Sequence, residues 1–351
     1  MDHYDYLIVG NGVAGATAAE TIREREPSVS IAVVSDEPHP LYSRVLLPNY
    51  VKGLVRRDQV FLRRLQDYAQ KRIALLGGTA AGRLDAVDGT LYLLDGRRIG
   101  FGKLLIATGG RPRPLGVPGA ELSGASRLQT IEDAERLIEL LAGTKRAVVA
   151  GGSFIALEYL EILASRAIPA TLVIPHPYFF SRFLDAAGGE MLQENFRRHG
   201  IEVVVRDRLA AIEGEGAVRG VRLAGGRAMA CDFVGAGVGL ERNTAWLASS
   251  GLECTPQGVA ADECLQTRVP GIFAAGDMAD FQDAVLGFRH THGNWGNSFR
   301  QGELAGRNMA SPAPPEPYRS VTSYGIRNLG YHIALVGYVA GGPGIDAVSR
   351  L

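Results

Sequence analysis

The chain carries one pattern twice: a short apolar strand, a glycine-rich turn, a helix, and a second apolar strand. The first copy runs "YDYLIVGNGVAGATAAETIREREP" into "VSIAVVSDEP", with Gly10 at the turn and Pro27 closing the helix. The second runs "KRAVVAGGSFIALEYLEILASRAI" into "PATLVIP", with Gly151 at the equivalent place. Consecutive parallel strands need a crossover, which is normally a helix packed on the sheet face. The fold class is therefore α/β with parallel sheets. The two copies lie too far apart for stacked repeats, so each is expected to centre its own domain.

"GNGVAG" places Gly10, Gly12 and Gly15 in G-x-G-x-x-G spacing directly after a strand and at the opening of a helix. The first glycine permits the tight turn, the second lets backbone approach a pyrophosphate, and the third lets the helix pack closely on the strand. The helix N-terminus then faces the phosphates with unpaired N–H groups. Asp36 and Glu37 follow at the end of the next strand, where an acid accepts ribose hydroxyls. Strand, turn, helix and acid in register make this a Rossmann-like dinucleotide-binding domain.

The second turn, "AGGSFIALE", keeps Gly151 but has Ser153 at the second glycine position and Ala156 at the third. An alanine there still allows close packing. A serine puts a Cβ where backbone would meet a pyrophosphate, yet its hydroxyl can donate to a phosphate oxygen. After the strand come Ile174, Pro175 and His176, with no acid for the 2′-hydroxyl. His176 and Arg182 either meet a 2′-phosphate or stand as solvated loop residues. The ribose end leans to NADPH over NADH, or to a weak site.

Two hairpin outlines, "GTLYLLDGRRIGFGKLLIATGG" and "VRGVRLAGGRAMACDFVGAGVG", each run into a glycine-ended strand. "TRVPGIFAAGDMAD" sends another strand into Gly276-Asp277, with a helix expected to follow. "SPAPPEPY" (311–318) is a proline-rich linker. The segment beyond it alternates like antiparallel strands and is too short for an independent domain, so it either pairs with another chain or belongs to something longer.

Composition narrows the function by exclusion. With 37 basic and 37 acidic residues, the chain has no net electrostatic pull on nucleic acid or an anionic membrane. Cys231, Cys254 and Cys264 form no C-x-x-C pair and no metal-ligand spacing, so no metal site is expected. Three cysteines without a disulfide framework suit a reducing compartment. The first residues enter a strand without a leader pattern, and no apolar run is long enough to span a membrane. A cytoplasmic setting is expected.

"GNGVAG", "LLIATGGRPR" (104–113), "AGGSFIALE" and "VPGIFAAGD" occur in the order of the FAD-dependent pyridine nucleotide–disulfide oxidoreductase superfamily, which the chain resembles from Tyr4 to about Tyr338. The resemblance implies an FAD domain over 1–115 and 241–315, an inserted NAD(P) domain over 116–240, and a partial α+β interface domain over 318–351 that serves a homodimer or larger complex. It places FAD on Gly10, Gly12, Gly15, Glu37, Thr108, Gly109, Gly276 and Asp277. It also sets Phe154 as an aromatic gate over the flavin.

The disulfide-reductase branch carries a C-x4-C pair after the first acid, whereas "EPHPLYSRVLLPNYVKG" has no cysteine. A dithiol relay is thereby excluded. The same stretch resembles the flavin module of nitrite reductase large subunits and, more distantly, rubredoxin and ferredoxin reductases. Arg44 is then a flavin neighbour. Pro48-Asn49 replace the Ser-Lys of many ferredoxin-reductase relatives, which removes a lysine expected to pair with Glu158. Trp295 is either a flavin neighbour or a core tryptophan.

The implied activity moves electrons from NAD(P)H through FAD to an external acceptor, either a redox protein or a small molecule, with no side chain as a nucleophile. An NAD(P)H oxidase or quinone reductase is the alternative enzyme. A flavoprotein subunit or sensor with a degenerate nucleotide site is the alternative outside enzymology.

Overall fold

The computed structural model describes residues 1–338; the remainder of the expected 318–351 segment lies outside the described residues. Two compact units form. The first comprises Met1–Ser43, Asp58–Arg111 and Glu241–Thr322, and the second Arg44–Arg57, Pro112–Leu240 and the chain from Ser323.

The first unit is organised by parallel strands in the order Ile73–Leu76, Ile31–Val34, Asp2–Val9, Arg98–Ile106, Ile272–Ala274. Register is set by apolar runs that are buried on both faces: Ile8 lies opposite Val33 and Leu105, and Leu105 opposite Phe273. These strands read as unbroken β-branched and aliphatic runs because helices or loops cover both sides of such a sheet. Thr90–Leu93 pairs antiparallel with Arg98–Ile106 as the first hairpin outline of the sequence, and Ala81–Asp85 adds to its other edge.

The helix Val13–Arg25 buries Ala14, Ala18, Ala19 and Ile22. Its alanine face meets a glycine face of Trp295–Ala310: a Cβ on Gly302 would come within 2.2 Å of the Ala14 carbonyl oxygen. Small residues therefore set how closely these two helices approach, and any side chain at Gly302 would force them apart.

A helix follows Gly276-Asp277 as expected, Trp295–Ala310, but a short hairpin comes between. A single 3-10 turn, Gly276–Met278, leads directly into the strand Ala279–Gln282, and the helix begins only at Trp295. The reason is Asp283. Its Oδ1 accepts the N–H groups of Val285 and Leu286 at 2.7 and 2.9 Å, closing a turn that returns the chain as Arg289–His290. A side-chain oxygen that caps backbone in this way competes with helix formation.

The second unit has a five-stranded parallel sheet in the order Ile201–Val205, Ala170–Ile174, Ala147–Ala150, Phe233–Ala236, Ala125–Ser126. Its helix Phe154–Ser165 buries Leu157, Tyr159, Leu160, Ile162 and Leu163. The second hairpin outline forms an antiparallel sheet from Leu209–Glu215, Ala217–Leu223 and Ala228–Ala230. Ser323–Asn328 and Tyr331–Val336 pair as a hairpin on this unit. Asn328 Nδ2 donates to the Leu157 carbonyl at 2.8 Å, and Asn195 Nδ2 to the Leu329 carbonyl at 3.1 Å.

Candidate functional site

In the first unit the three glycines of "GNGVAG" are demanded by different things. Gly10 has φ +113°, and a Cβ there would lie 2.2 Å from the Ala107 oxygen. A Cβ on Gly15 would lie 1.9 Å from the Gly10 oxygen. The folded chain itself forbids a side chain at both positions. Gly12 differs. It sits at φ −75° and ψ −178° as the N-cap of Val13–Arg25, without a side-chain cap, and nothing lies within 4 Å of its would-be Cβ. The protein leaves room there, above helix N–H groups that favour an anion.

Around that opening the structure gathers Thr108, Gly109, Gly276 and Glu37. Thr108 and Gly109 follow the strand Arg98–Ile106, and their carbonyls accept Asn243 Nδ2 and the Asn243 N–H. The Thr108 hydroxyl is buried without a hydrogen-bond partner, as is Gln301 Nε2, while Gln301 Oε1 accepts the Gly276 N–H at 2.8 Å. Buried polar atoms left unmet cost about 1–3 kcal/mol each and mark places where a ligand completes the hydrogen bonding. Gly276 is held against Ala14 and Ser298, which brings Asp277 to the head of the glycine-turn helix. Arg242 Nη1 stands 3.9 Å from the Asp277 carboxylate.

Of the two acids after the second strand, Asp36 is exposed, whereas Glu37 is partly buried and accepts the Tyr42 hydroxyl. A dinucleotide fits these residues. The glycine turn and helix N-terminus would hold its pyrophosphate, Glu37 its adenosine ribose, and Thr108, Gln301 and Asp277 polar groups further along. Trp295 opens its helix under an Asn294 N-cap and is half-buried.

The second unit repeats the first turn with altered parts. Gly151 has φ +108°, and its Cβ would lie 2.2 Å from the Gly237 oxygen. Ser153 is the N-cap of Phe154–Ser165, its hydroxyl oxygen accepting the Ala156 N–H at 3.4 Å. That leaves the hydroxyl proton available to a phosphate. Ala156 is accommodated because residue 237 is glycine. Phe154 packs its ring on Phe180 and Phe183 at 4.9 and 5.4 Å between centroids.

His176 and Arg182 are both exposed. The structure also brings an acid to the end of the strand Ala170–Ile174 that sequence order concealed: the Asp207 N–H donates to the Ile174 carbonyl at 3.2 Å. Its carboxylate accepts the Arg208 and Gly225 N–H groups, so it is committed to the neighbouring turn.

Arg44 belongs to the second unit and donates to the Gln129 carbonyl at 2.6 Å. The missing lysine is supplied one helical turn later. Lys52 is nearly buried and pairs at 2.7 Å with Glu161, the residue one turn beyond Glu158. Glu158 is pushed up to about 7 by burial and by the Glu161 charge, with Lys52 opposing. The pair is legible in the helix beyond Asn49 with an i+3 allowance.

None of the three cysteines is placed to act as a nucleophile. Cys231 is buried and its thiol is pushed up to about 11 by burial, and burial raises Cys254 and Cys264 as well. Among the described residues no helix is long and apolar enough to cross a membrane.

The chain is similar to known oxidoreductases over most of its length. It is 29% identical to a nitrite reductase [NAD(P)H] of Bacillus subtilis over 82% of this chain, and spans 36% of that protein. It is 27% identical to the epsilon subunit of an NADH-dependent phenylglyoxylate dehydrogenase of Aromatoleum evansii, over 100% of this chain and 83% of the relative. A solved covalent complex of putidaredoxin reductase with putidaredoxin superposes with a TM-score of 0.90 at 26% identity, covering 96% of this chain and 81% of that one. The family model for pyridine nucleotide-disulphide oxidoreductases matches residues 4–302. Since that match runs through both glycine turns and the Gly276-Asp277 corner, the chain belongs to the pyridine nucleotide-disulphide oxidoreductase family as an FAD-dependent NAD(P)H oxidoreductase.

Proposed function

We propose that the chain passes electrons from NAD(P)H through FAD to a separate redox protein, without a cysteine relay. Bound FAD would supply the redox chemistry, taking a hydride equivalent and releasing electrons onward. The chain's own residues bind and orient. Gly10, Gly12, Gly15, Glu37 and Asp277 hold the flavin nucleotide, and Gly151, Ser153 and the helix behind them hold the pyridine nucleotide. In domain terms, 1–115 and 241–315 form the FAD domain and 116–240 the nucleotide domain.

The observation that carries this reading is the stretch from Pro38 to Gly53, which has no sulfur, together with three thiols that burial keeps protonated. Electrons therefore leave from the flavin itself. An iron–sulfur, rubredoxin or sirohaem protein is the acceptor class we favour, in line with the solved reductase–putidaredoxin complex. The cytoplasm is the setting this implies, and the segment 318–351 is the place for contact with another chain.

Anaerobic rapid mixing of the FAD-loaded protein with NADPH and NADH tests the donor side, where bleaching of the flavin absorbance is expected. Reoxidation should then be faster with a small iron–sulfur protein than with oxygen or a quinone. No bleaching with either nucleotide would mean a binding subunit. Faster reoxidation by oxygen or quinone would mean an oxidase or quinone reductase.

A further inference from the structure

We propose that Asp283, His290 and His292 form a binding site for one divalent transition-metal ion in the first unit. Asp283 ends the strand Ala279–Gln282, and His290 ends its antiparallel partner, with Phe281 opposite His290 and Gln282 opposite Arg289. Two residues further along, His292 presents its ring to the same side, as alternate residues of an extended chain do. The two imidazoles lie 4.1 Å apart between ring centroids at 82°. The turn fixes the carboxylate as well. Oδ1 is committed to the Val285 and Leu286 N–H groups, which turns Oδ2 to His290 Nε2 at 2.8 Å.

One ligand atom from each of the three residues falls within 4.8 Å of the others. A zinc-type ion with bonds of about 2.0–2.1 Å needs them roughly 3.3 Å apart in a tetrahedral arrangement, a gap that small side-chain rotations close. Two imidazoles and one carboxylate are a donor set used by Zn²⁺ and Fe²⁺, with coordination positions left for water.

The Asp283–His290 bond closes the turn, and His292 sets its ring edge-on to His290 in the same cluster. An apolar residue would fill the place of His292 without burying a polar ring. Loading the site exchanges the Asp283–His290 hydrogen bond for a shared ion: Oδ2 and an imidazole nitrogen both turn to the metal, and the displaced proton moves to the other ring nitrogen or to solvent. The next residue, Gly293, lies against Asp277, so that a Cβ there would be 3.3 Å from Oδ1. An ion at His292 would therefore tie down the segment that borders the flavin corner.

The test uses full-length, untagged protein loaded with FAD and titrated with Co²⁺ and Zn²⁺. One equivalent of Co²⁺ should give visible d–d bands without thiolate charge transfer, and Zn²⁺ should quench them and raise the melting temperature. His292→Leu should abolish both effects while keeping the far-ultraviolet spectrum and flavin content of the parent, and His292→Gln serves if the leucine variant does not fold. Absence of a saturable cobalt spectrum, or binding that persists in the variant, would overturn the site.

Discussion

Ala156 and Gly237 share one space: a Cβ on Gly237 would come within 2.8 Å of the Ala156 Cβ and 2.7 Å of its backbone nitrogen. The third position of the second glycine turn is therefore alanine only because residue 237, at the end of the neighbouring strand, is not. The first unit arranges the same corner the other way, with Gly15 on the helix and Ala107 after the strand.

Gly237→Ala should destabilise the second unit by about 1–3 kcal/mol, the usual cost of overpacking. Adding Ala156→Gly should recover only part, because the clash with the backbone nitrogen remains. Chemical denaturation of the single and double variants measures this. FAD content should stay at the parent level, since the first unit is untouched. Full recovery in the double variant would show that the methyl alone makes the conflict.

Ser153→Ala removes the cap of Phe154–Ser165. N-cap losses run about 0.5–2 kcal/mol, and a bond of 3.4 Å points to the lower end. Ser153→Gly should lose less and reopen the backbone approach to a pyrophosphate. Its affinity for pyridine nucleotide should match that of the parent within about fivefold, since a hydroxyl contact is exchanged for a closer approach. A much larger loss in equilibrium titration would mean that the hydroxyl carries the site.

What the sequence made legible was local. The Gly10, Gly12 and Gly15 roles follow from one turn and the helix it opens, so spacing suffices to read them. The Ala156–Gly237 exchange joins positions far apart in the chain, and no spacing rule connects them. Lys52 is hidden from a reading by position because the family lysine stands where Asn49 does, although one helical turn restores a cation to the same helix face. Asp207 reaches Ile174 only through the sheet, and Asp283 meets His290 only through hairpin register.

The ribose end leads to a preference between nucleotides. No acid follows the strand Ala170–Ile174 in sequence, and Asp207, which the sheet brings to its end, gives Oδ1 to the Arg208 and Gly225 N–H groups, so the two-oxygen grip on a 2′-hydroxyl is lacking. A missing charge-assisted hydrogen bond is worth on the order of 1.5–3 kcal/mol. NADPH should therefore bind the oxidised protein more tightly than NADH, and Arg182→Ala should reduce that preference. Tighter NADH binding in parallel titrations would refute the argument.

Glu158 gives the second unit a pH dependence of defined sign. Its carboxyl has an ordinary value of 4.5 and is pushed up to about 7 in the folded chain. Between those values the folded state holds the proton more tightly than the unfolded one. Stability should therefore fall as pH rises from about 4.5 to about 7 and level off above, a loss of about 3 kcal/mol from this group. Glu158→Gln should remove that component. Lys52→Met should extend it to higher pH, because the opposing cation is gone. Urea midpoints from pH 5 to pH 8 test both.

Gly12 and Gly15 separate what the ligand demands from what the chain demands. A side chain at Gly15 collides with the Gly10 carbonyl, so Gly15→Leu should fail to fold. At Gly12 the backbone is ordinary extended conformation and, its own chain neighbours aside, none of the described residues comes within 4 Å of the added Cβ. Gly12→Leu should therefore fold with parental secondary structure but purify without flavin absorbance, its side chain filling the room left for a pyrophosphate. Its melting temperature should match that of the parent stripped of FAD. The holoprotein should stand above both by the linkage contribution, about 2.7–4.1 kcal/mol at 100 to 1,000 times the dissociation constant. A yellow Gly12→Leu protein would mean that the cofactor lies elsewhere than on this helix, and the assignment of the first turn would fall with it.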